Sequence, residues 1–343
     1  MTHRSQPTAR PSGPRLSRRH ALGLGAFAVA GAVAGLPLAR ALGRRRLLRR
    51  TLPLMGTLAE VAVVTDAGLD EAAAHEAIDA AFARLVFVDR TMSRYRADSD
   101  VGRLNAAPRD TVVAVTAETR RVLARAKDFS QATLGAFDPL LGGWTALWDV
   151  TERTAPPTVA ELADAGRHAE LGRHLDLAAD GASIARFHDR IDLHLDLGGI
   201  AKGFAVDEAA RALREAGVHR AFVNVGGDLV ALGASDDGDP WRVGVRDPRD
   251  PSGTRMLRTL ELTDAAVATS GTTERFFEHG GRRYHHLIDS RAAGPWATTR
   301  QSVTVRAATC MDADAGATAA FGLAARRTLT DHRWLHDRVD VLA

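Results

Sequence analysis

The chain has 343 residues, 45% apolar and 25% charged, which suits one large globular domain or two ordinary ones and excludes a collagen, a coiled coil or a wholly disordered chain. Its single cysteine, Cys310, rules out an internal disulfide and a Cys-rich zinc module. The formal charge of +3 hides an asymmetry: the first fifty residues hold eleven arginines and no acid, leaving 34 basic against 42 acidic residues, a net −8, in the remainder, where no basic nucleic-acid-binding surface is therefore expected.

In chain order, the first predicted element is an export leader over residues 1–43. Arg18-Arg19 precedes an uncharged run from Ala21 to Ala39 that is rich in Ala and Gly, and Ala39-Arg40-Ala41 offers a small-x-small cleavage site. The arginine pair gives the leader a twin-arginine look, with Ala21 where that pattern prefers phenylalanine. A retained membrane anchor is the alternative. The run is barely long enough to span, is weakly apolar and contains Pro37. The basic cluster Arg40 to Arg50 would also lie on the wrong side of an anchor. Either form puts the remainder outside the cytoplasm. Gly23-Leu24-Gly25-Ala26-Phe27-Ala28 matches G-x-G-x-x-A, but no strand precedes it, so it is no dinucleotide site.

Residues 44–343 are expected to form one domain, with globular composition from Thr51 onward. Leu58 to Thr65 reads as a strand, and residues 70–90 repeat apolar side chains at helix spacing through Ala74, Ile78, Ala81, Phe82, Leu85 and Val88. A polar loop over 93–110, a helix over 117–130 and a helical insertion over 151–170 follow. Ile184 to Asp196 suggests paired strands, and Lys202 to Ala216 a helix stopped by Gly217. Further strands are expected at Ala221–Val225, Leu229–Leu232, Trp241–Val245, Val267–Gly271, Tyr284–Ile288 and Ser302–Ala307, then an Ala-rich helix from Asp312 to Leu323. Beyond it, Trp334, Leu335, Val339 and Val341 are expected to pack the C-terminus onto the core, and no role is assigned to them. Helices and strands without a βαβ rhythm indicate an α+β fold.

Four clusters carry candidate chemistry. In Asp196-Leu197-Gly198-Gly199-Ile200-Ala201-Lys202, a glycine turn feeds a helix start, a place that favours an anion. Lys202 is one of two lysines against 43 arginines, and a compact charge in that turn reads as either functional or simply exposed. Asp314 and Thr318 share one helix face as hard oxygen donors suited to Mg²⁺, unless the acid is only a cap. Ser270 with His285, His286 and Asp289 invites a hydrolase triad, but the chain has no G-x-S-x-G elbow. Gly135-Ala136-Phe137-Asp138-Pro139, near Trp144 and Trp148, could stack and hydrogen-bond a planar ring or form an aromatic corner of the core.

Taken in order, Met55-Gly56-Thr57, MSRYRADSDVGRLN from Met92, GAFDP from Gly135, DLGGIAKGFAVD from Asp196, NVGGDL from Asn224, ATSG from Ala268, HLID from His286 and DADAGATAAF from Asp312 resemble the ApbE family of FAD:protein FMN transferases. The resemblance covers about Thr51 to Leu323. It implies a single large α+β domain with mixed sheets, flanking helices and an FAD cleft between two lobes. It also implies a Mg²⁺-dependent enzyme that moves the FMN half of FAD onto a threonine or serine of an exported or membrane-bound flavoprotein, releasing AMP. By the same resemblance Gly199, Asp314 and Thr318 would hold the metal. Met55, Tyr95, Ala136, Phe137, Asp138, Asp196, Lys202 and Ile288 would contact FAD, and His286 and Lys202 would be catalytic. Water in place of the acceptor would make the same site an FAD pyrophosphatase, and a site without turnover a flavin-binding protein. The sequence departs from the family at Thr272, where an aromatic is frequent, and at Ser290 to Pro295, where a proline and a threonine-glycine turn are usual. The leader has no cysteine, so no lipid anchor is expected.

Overall fold

The structure, a computed structural model, describes residues 45–342 except 67, 109, 165–173, 179–183, 188–193, 251 and 330–331. The expected leader lies outside the described residues. The first elements are strands β1 (Arg46–Leu54) and β2 (Thr57–Thr65), joined by a tight turn at Met55-Gly56. The cluster expected to end the leader thus contributes its last arginines to β1. They are paired there: Arg49 reaches Glu60 at 3.0 Å, Arg46 reaches Glu71 at 3.3 Å, and Arg50 bonds Asp79. Charge and Pro53 also suit an edge strand, since both discourage a further chain from pairing there.

Helix α1 (Glu71–Met92) follows, capped by the Asp70 carboxylate on Ala73 N–H. The polar stretch expected to be a loop contains a second helix, α2 (Asp100–Ala106). Ser99 caps it by accepting from Gly102 N–H, and a Cβ on Gly102 would stand 2.0 Å from the Arg96 carbonyl, so that turn needs glycine. Then come β3 (Val113–Ala114), α3 (Ala117–Ala132), α4 (Gly142–Trp148) and α5 (Val159–Asp164), the last being the described part of the expected insertion. Strands β4 (Leu175–Leu177) and β5 (Ile184–Phe187) form a small sheet with β3. Asp196 is in no strand, because Leu195 is held instead by the Asn105 side chain at 2.7 and 3.0 Å.

Helix α6 (Ala201–Glu215) leads to the hairpin of β6 (Ala221–Val225) and β7 (Asp228–Leu232). After it come a ribbon of β8 (Trp241–Arg246) and β9 (Met256–Leu262), strand β10 (Ala265–Gly271) and a hairpin of β11 (Phe276–His279) and β12 (Arg282–His285). The short pair β13 (Ile288–Asp289) and β14 (Gly294–Pro295) precedes β15 (Ser302–Ala307), helix α7 (Cys310–Ala325), the turn α8 (Arg333–His336) and strand β16 (Val339–Val341). The C-terminal residues pack as expected, with Leu335 and Val339 in the core and Trp334 and Val341 against it, and β16 also pairs with β15 and completes a sheet.

That sheet has seven antiparallel strands in the order β1-β2-β6-β7-β10-β15-β16. Side chains alternate across a strand, and here both faces are apolar. Val61 and Val63 of β2, Val230 and Leu232 of β7, and Ala266 and Ala268 of β10 enter the core under α1, α6 and α7. Their neighbours Val64, Leu229, Ala231, Ala265 and Val267 point the other way, against Trp241, Leu260 and Leu262 of the ribbon. A third cluster joins Trp144, Trp148, Val150, Phe277 and Ile288. Fully burying a side chain such as Leu232 contributes about 1.5–3 kcal/mol. The helices are also tied by charge: buried Glu208 of α6 accepts from Arg84 of α1 and Arg121 of α3, both at 2.6 Å, and from Arg211 at 2.8 Å. The mixed sheets and flanking helices are the α+β arrangement expected.

Candidate active site

The glycine turn before α6 and the start of α7 meet at one point. Gly203 allows it, because a Cβ there would stand 2.2 Å from the Cys310 carbonyl and 2.8 Å from the Asp314 Cβ. Asp207, one turn along α6, accepts from the Cys310 and Met311 N–H groups at 2.8 and 2.9 Å. Thr309 caps the same helix by accepting from Asp312 N–H at 3.2 Å. These bonds satisfy the free donors of the first turn and set the position of Asp314. Burial pushes the Asp207 carboxyl up to about 6.

Asp314 is buried, and its Oδ2 accepts from Gly203 N–H at 3.0 Å. Lys202 Nζ lies 3.4 and 3.3 Å from its two oxygens and bonds the buried Asp228 more closely. Burial opposes the charge of Lys202, but the two carboxylates outweigh it and hold the ammonium above the ordinary lysine value. Burial and then Asp314 push Asp228 up, against the pull of Lys202. Asp228 reaches this point because β6 and β7 turn through Gly226 and Gly227, both at positive φ. Gly226 lies against Thr57, with 2.8 Å from a would-be Cβ to the threonine hydroxyl, so the Met55-Gly56-Thr57 turn is stacked on the same hairpin.

Thr318 stands one turn after Asp314, and its hydroxyl is 3.2 Å from that of Ser270. A Cβ on Gly199 would be 3.3 Å from the Thr318 hydroxyl and 3.4 Å from the ring of Phe137. Lys202, Asp314, Thr318, Gly199 and Phe137 are thus brought together. Ser270 bonds Thr318 and no histidine, so the triad arrangement is not formed. The donors around Asp314 are all oxygen: one carboxylate, two hydroxyls and the nearby glycine backbone. This set fits a hard cation such as Mg²⁺, with further oxygens left for a substrate to supply.

The expected strand Tyr284 to Ile288 is broken. His285 is buried, and its ring accepts from Leu287 N–H at 3.2 Å, which turns the chain out of β12. His286 is half-buried and bonds the Arg275 carbonyl through its N–H at 3.3 Å and through Nδ1 at 3.4 Å. A carbonyl only accepts, so this contact puts the ring proton on Nδ1 and leaves Nε2 with its lone pair. Desolvation and then the Arg275 charge push the His286 imidazole down to about 3, and burial pushes His285 down to about 4.

Asp196 lies at the other end of the glycine turn. It accepts from Gly198 N–H at 2.9 Å and Thr145 Oγ1 at 3.1 Å, and pairs with Arg94 at 3.2 Å. Arg94 in turn bonds the exposed Tyr95 hydroxyl at 2.9 Å and lies over its ring. Arg94 and Tyr95 line a cleft of about 300 Å³ together with Asn105, Gly142, His194 and Leu195. Ala136 and Phe137 are buried, and Asp138 accepts from Ser130 Oγ and from Leu140 N–H. Ile288 sits elsewhere, with its side chain among Trp144, Trp148 and Phe277. Arg94 and Asp228 lie within the motifs MSRYRADSDVGRLN and NVGGDL but were given no role there, and Arg275 was not singled out by the sequence.

A model of the ApbE family matches residues 55–342. The chain belongs to the ApbE family. A FAD:protein FMN transferase of Treponema pallidum (strain Nichols) is 35% identical over 283 residues, 79% of this chain and 77% of its own. One of Vibrio cholerae serotype O1 is 32% identical over 271 residues, 78% of each. Among solved ApbE structures, that from Thermotoga maritima superposes with a TM-score of 0.75 at 28% identity, covering 87% of this chain and 94% of that one. The flavin transferase ApbE from Vibrio cholerae gives 0.73 at 28%, covering 87% and 97%. The ApbE assignment thus spans all elements from the Met55 turn to β16.

Proposed function

We propose that this chain transfers the FMN moiety of FAD to a threonine or serine hydroxyl of a target flavoprotein and releases AMP. The carrying observation is the meeting of Asp314, Thr318 and Gly199 with Lys202 at the α6–α7 junction in a chain of the ApbE family. Met55, Tyr95, Ala136, Phe137, Asp138, Asp196 and Lys202 are the proposed FAD contacts, and Gly199, Asp314 and Thr318 the proposed Mg²⁺ ligands. Bound there, Mg²⁺ would supply charge to phosphate oxygens.

The acceptor oxygen attacks the FMN phosphorus and the new P–O bond forms. The bond to the AMP phosphate breaks, and its electron pair leaves with AMP. His286 Nε2 takes the proton of the attacking hydroxyl, held ready by the Nδ1 contact to Arg275. Lys202 is the shared counter-charge of Asp228 and Asp314 and holds both in place beside the reacting phosphate.

Mass spectrometry of the purified chain with FAD, MgCl₂ and a threonine-containing acceptor domain tests this reading. One FMN added to the acceptor, AMP released and no reaction in EDTA are expected. Free FMN with AMP and an unmodified acceptor would point to a pyrophosphatase, and intact FAD would sink both enzymatic readings.

The leader supports a second part of the proposal, that the enzyme works outside the cytoplasm on an exported or membrane-bound acceptor. The support is Arg18-Arg19 before an uncharged Ala/Gly run. Replacing both arginines with lysine is expected to leave the protein in the cytoplasm on fractionation. An unchanged distribution would remove the twin-arginine assignment.

A further inference from the structure

A diphosphate is an anion and calls for donors whose charge is not already engaged. Lys202 is held between Asp228 and Asp314, so two carboxylates already engage its charge. Glu274 adds a further acid close enough to raise Asp228. The unspent cation at this place is Arg275, in the segment between β10 and β11. It is exposed, and among the described residues its guanidinium makes no ion pair or hydrogen bond, although its charge is felt by the adjacent Glu274. One of its NH₂ nitrogens stands 3.5 Å from where a Cβ of Gly56 would be. The guanidinium therefore lies over the Met55-Gly56 turn, which is itself stacked through Thr57 on the Gly226 hairpin that delivers Asp228 to Lys202. The same residue's carbonyl holds His286. One residue thus holds the candidate base with its backbone carbonyl and lays its guanidinium over the neighbouring Met55-Gly56 turn.

We propose that the Arg275 guanidinium binds the diphosphate of FAD. A planar fork of donors suits phosphate oxygens, and no carboxylate pairs with it as Asp228 and Asp314 do with Lys202. The inference rests on FAD being the substrate, as proposed above.

The test compares the full-length wild-type chain with Arg275→Gln and Arg275→Lys in MgCl₂. Binding of FAD and of riboflavin, which has no phosphate, is measured by flavin fluorescence. Arg275→Gln is expected to weaken FAD binding about tenfold or more, roughly the worth of one charge-assisted pair, with riboflavin binding unchanged. Arg275→Lys should recover part of the loss, as a point charge without the fork. Unaltered FAD affinity in Arg275→Gln, or an equal loss for FAD and riboflavin, would overturn the assignment while leaving the proposed function intact. A wild-type chain that binds no FAD would overturn both.

Discussion

Asp314→Asn is expected to lower FMN transfer at least about a hundredfold and to raise the Mg²⁺ concentration needed for half-maximal rate. Removing even an outer partner of a bound metal commonly costs 10–100-fold, and Asp314 is the carboxylate of the proposed metal site itself. The substitution is close to isosteric. An amide oxygen still accepts from Gly203 N–H, which Asp314 Oδ2 meets at 3.0 Å, and Lys202 keeps Asp228 as its nearer partner. The fold should therefore survive, with thermal unfolding near that of the wild type. Transfer at wild-type rates and unchanged Mg²⁺ dependence would remove Asp314 from the metal site.

Lys202→Met should act on stability as strongly as on activity. The ammonium lies between two buried carboxylates, and taking it away leaves Asp228 and Asp314 facing each other without a counter-charge. Breaking a buried pair in this way costs about 3–5 kcal/mol. In a domain of this size that lowers the melting temperature by on the order of 10 °C. Adding Asp228→Asn to the same variant should restore part of the loss, because one of the two unpaired acids is then neutral. A melting temperature within about 1 °C of the wild type for Lys202→Met would mean that the trio does not hold the α6–α7 junction together.

What could be read from the sequence follows the physics of each segment. Helix α1 was legible because its buried positions, from Ala74 to Val88, recur at helix spacing. The β6–β7 hairpin was legible from Gly226-Gly227 between two apolar runs. Strand β1 was not, because Arg46, Arg49 and Arg50 continue the basic composition of the leader, and their acidic partners lie in β2 and α1. Helix α2 was hidden in polar sequence, although Ser99 is a cap signal. The break after His285 depends on its ring accepting from Leu287 N–H, a contact no periodicity reveals. At the site, Lys202 stood out through rarity, whereas Arg275 is one of 43 arginines and is distinguished only by where the fold puts it. Ile288 followed the resemblance, yet its side chain is spent on the aromatic cluster.

The large sheet takes its two edges from opposite ends of the described chain, β1 at one side and β16 at the other. Helix α7, with Asp314 and Thr318, is inserted just before that final strand. A chain still being synthesised therefore has neither a finished edge beside β15 nor the helix that carries Asp314 and Thr318 until residues 310–341 have emerged. Pairings such as β7 with β10 and β10 with β15 also join distant segments, which slows assembly. A nascent chain that has made β1 to β15 still lacks α7, so Asp314 and Thr318 join Gly199 and Lys202 only after that helix has emerged and docked on α6.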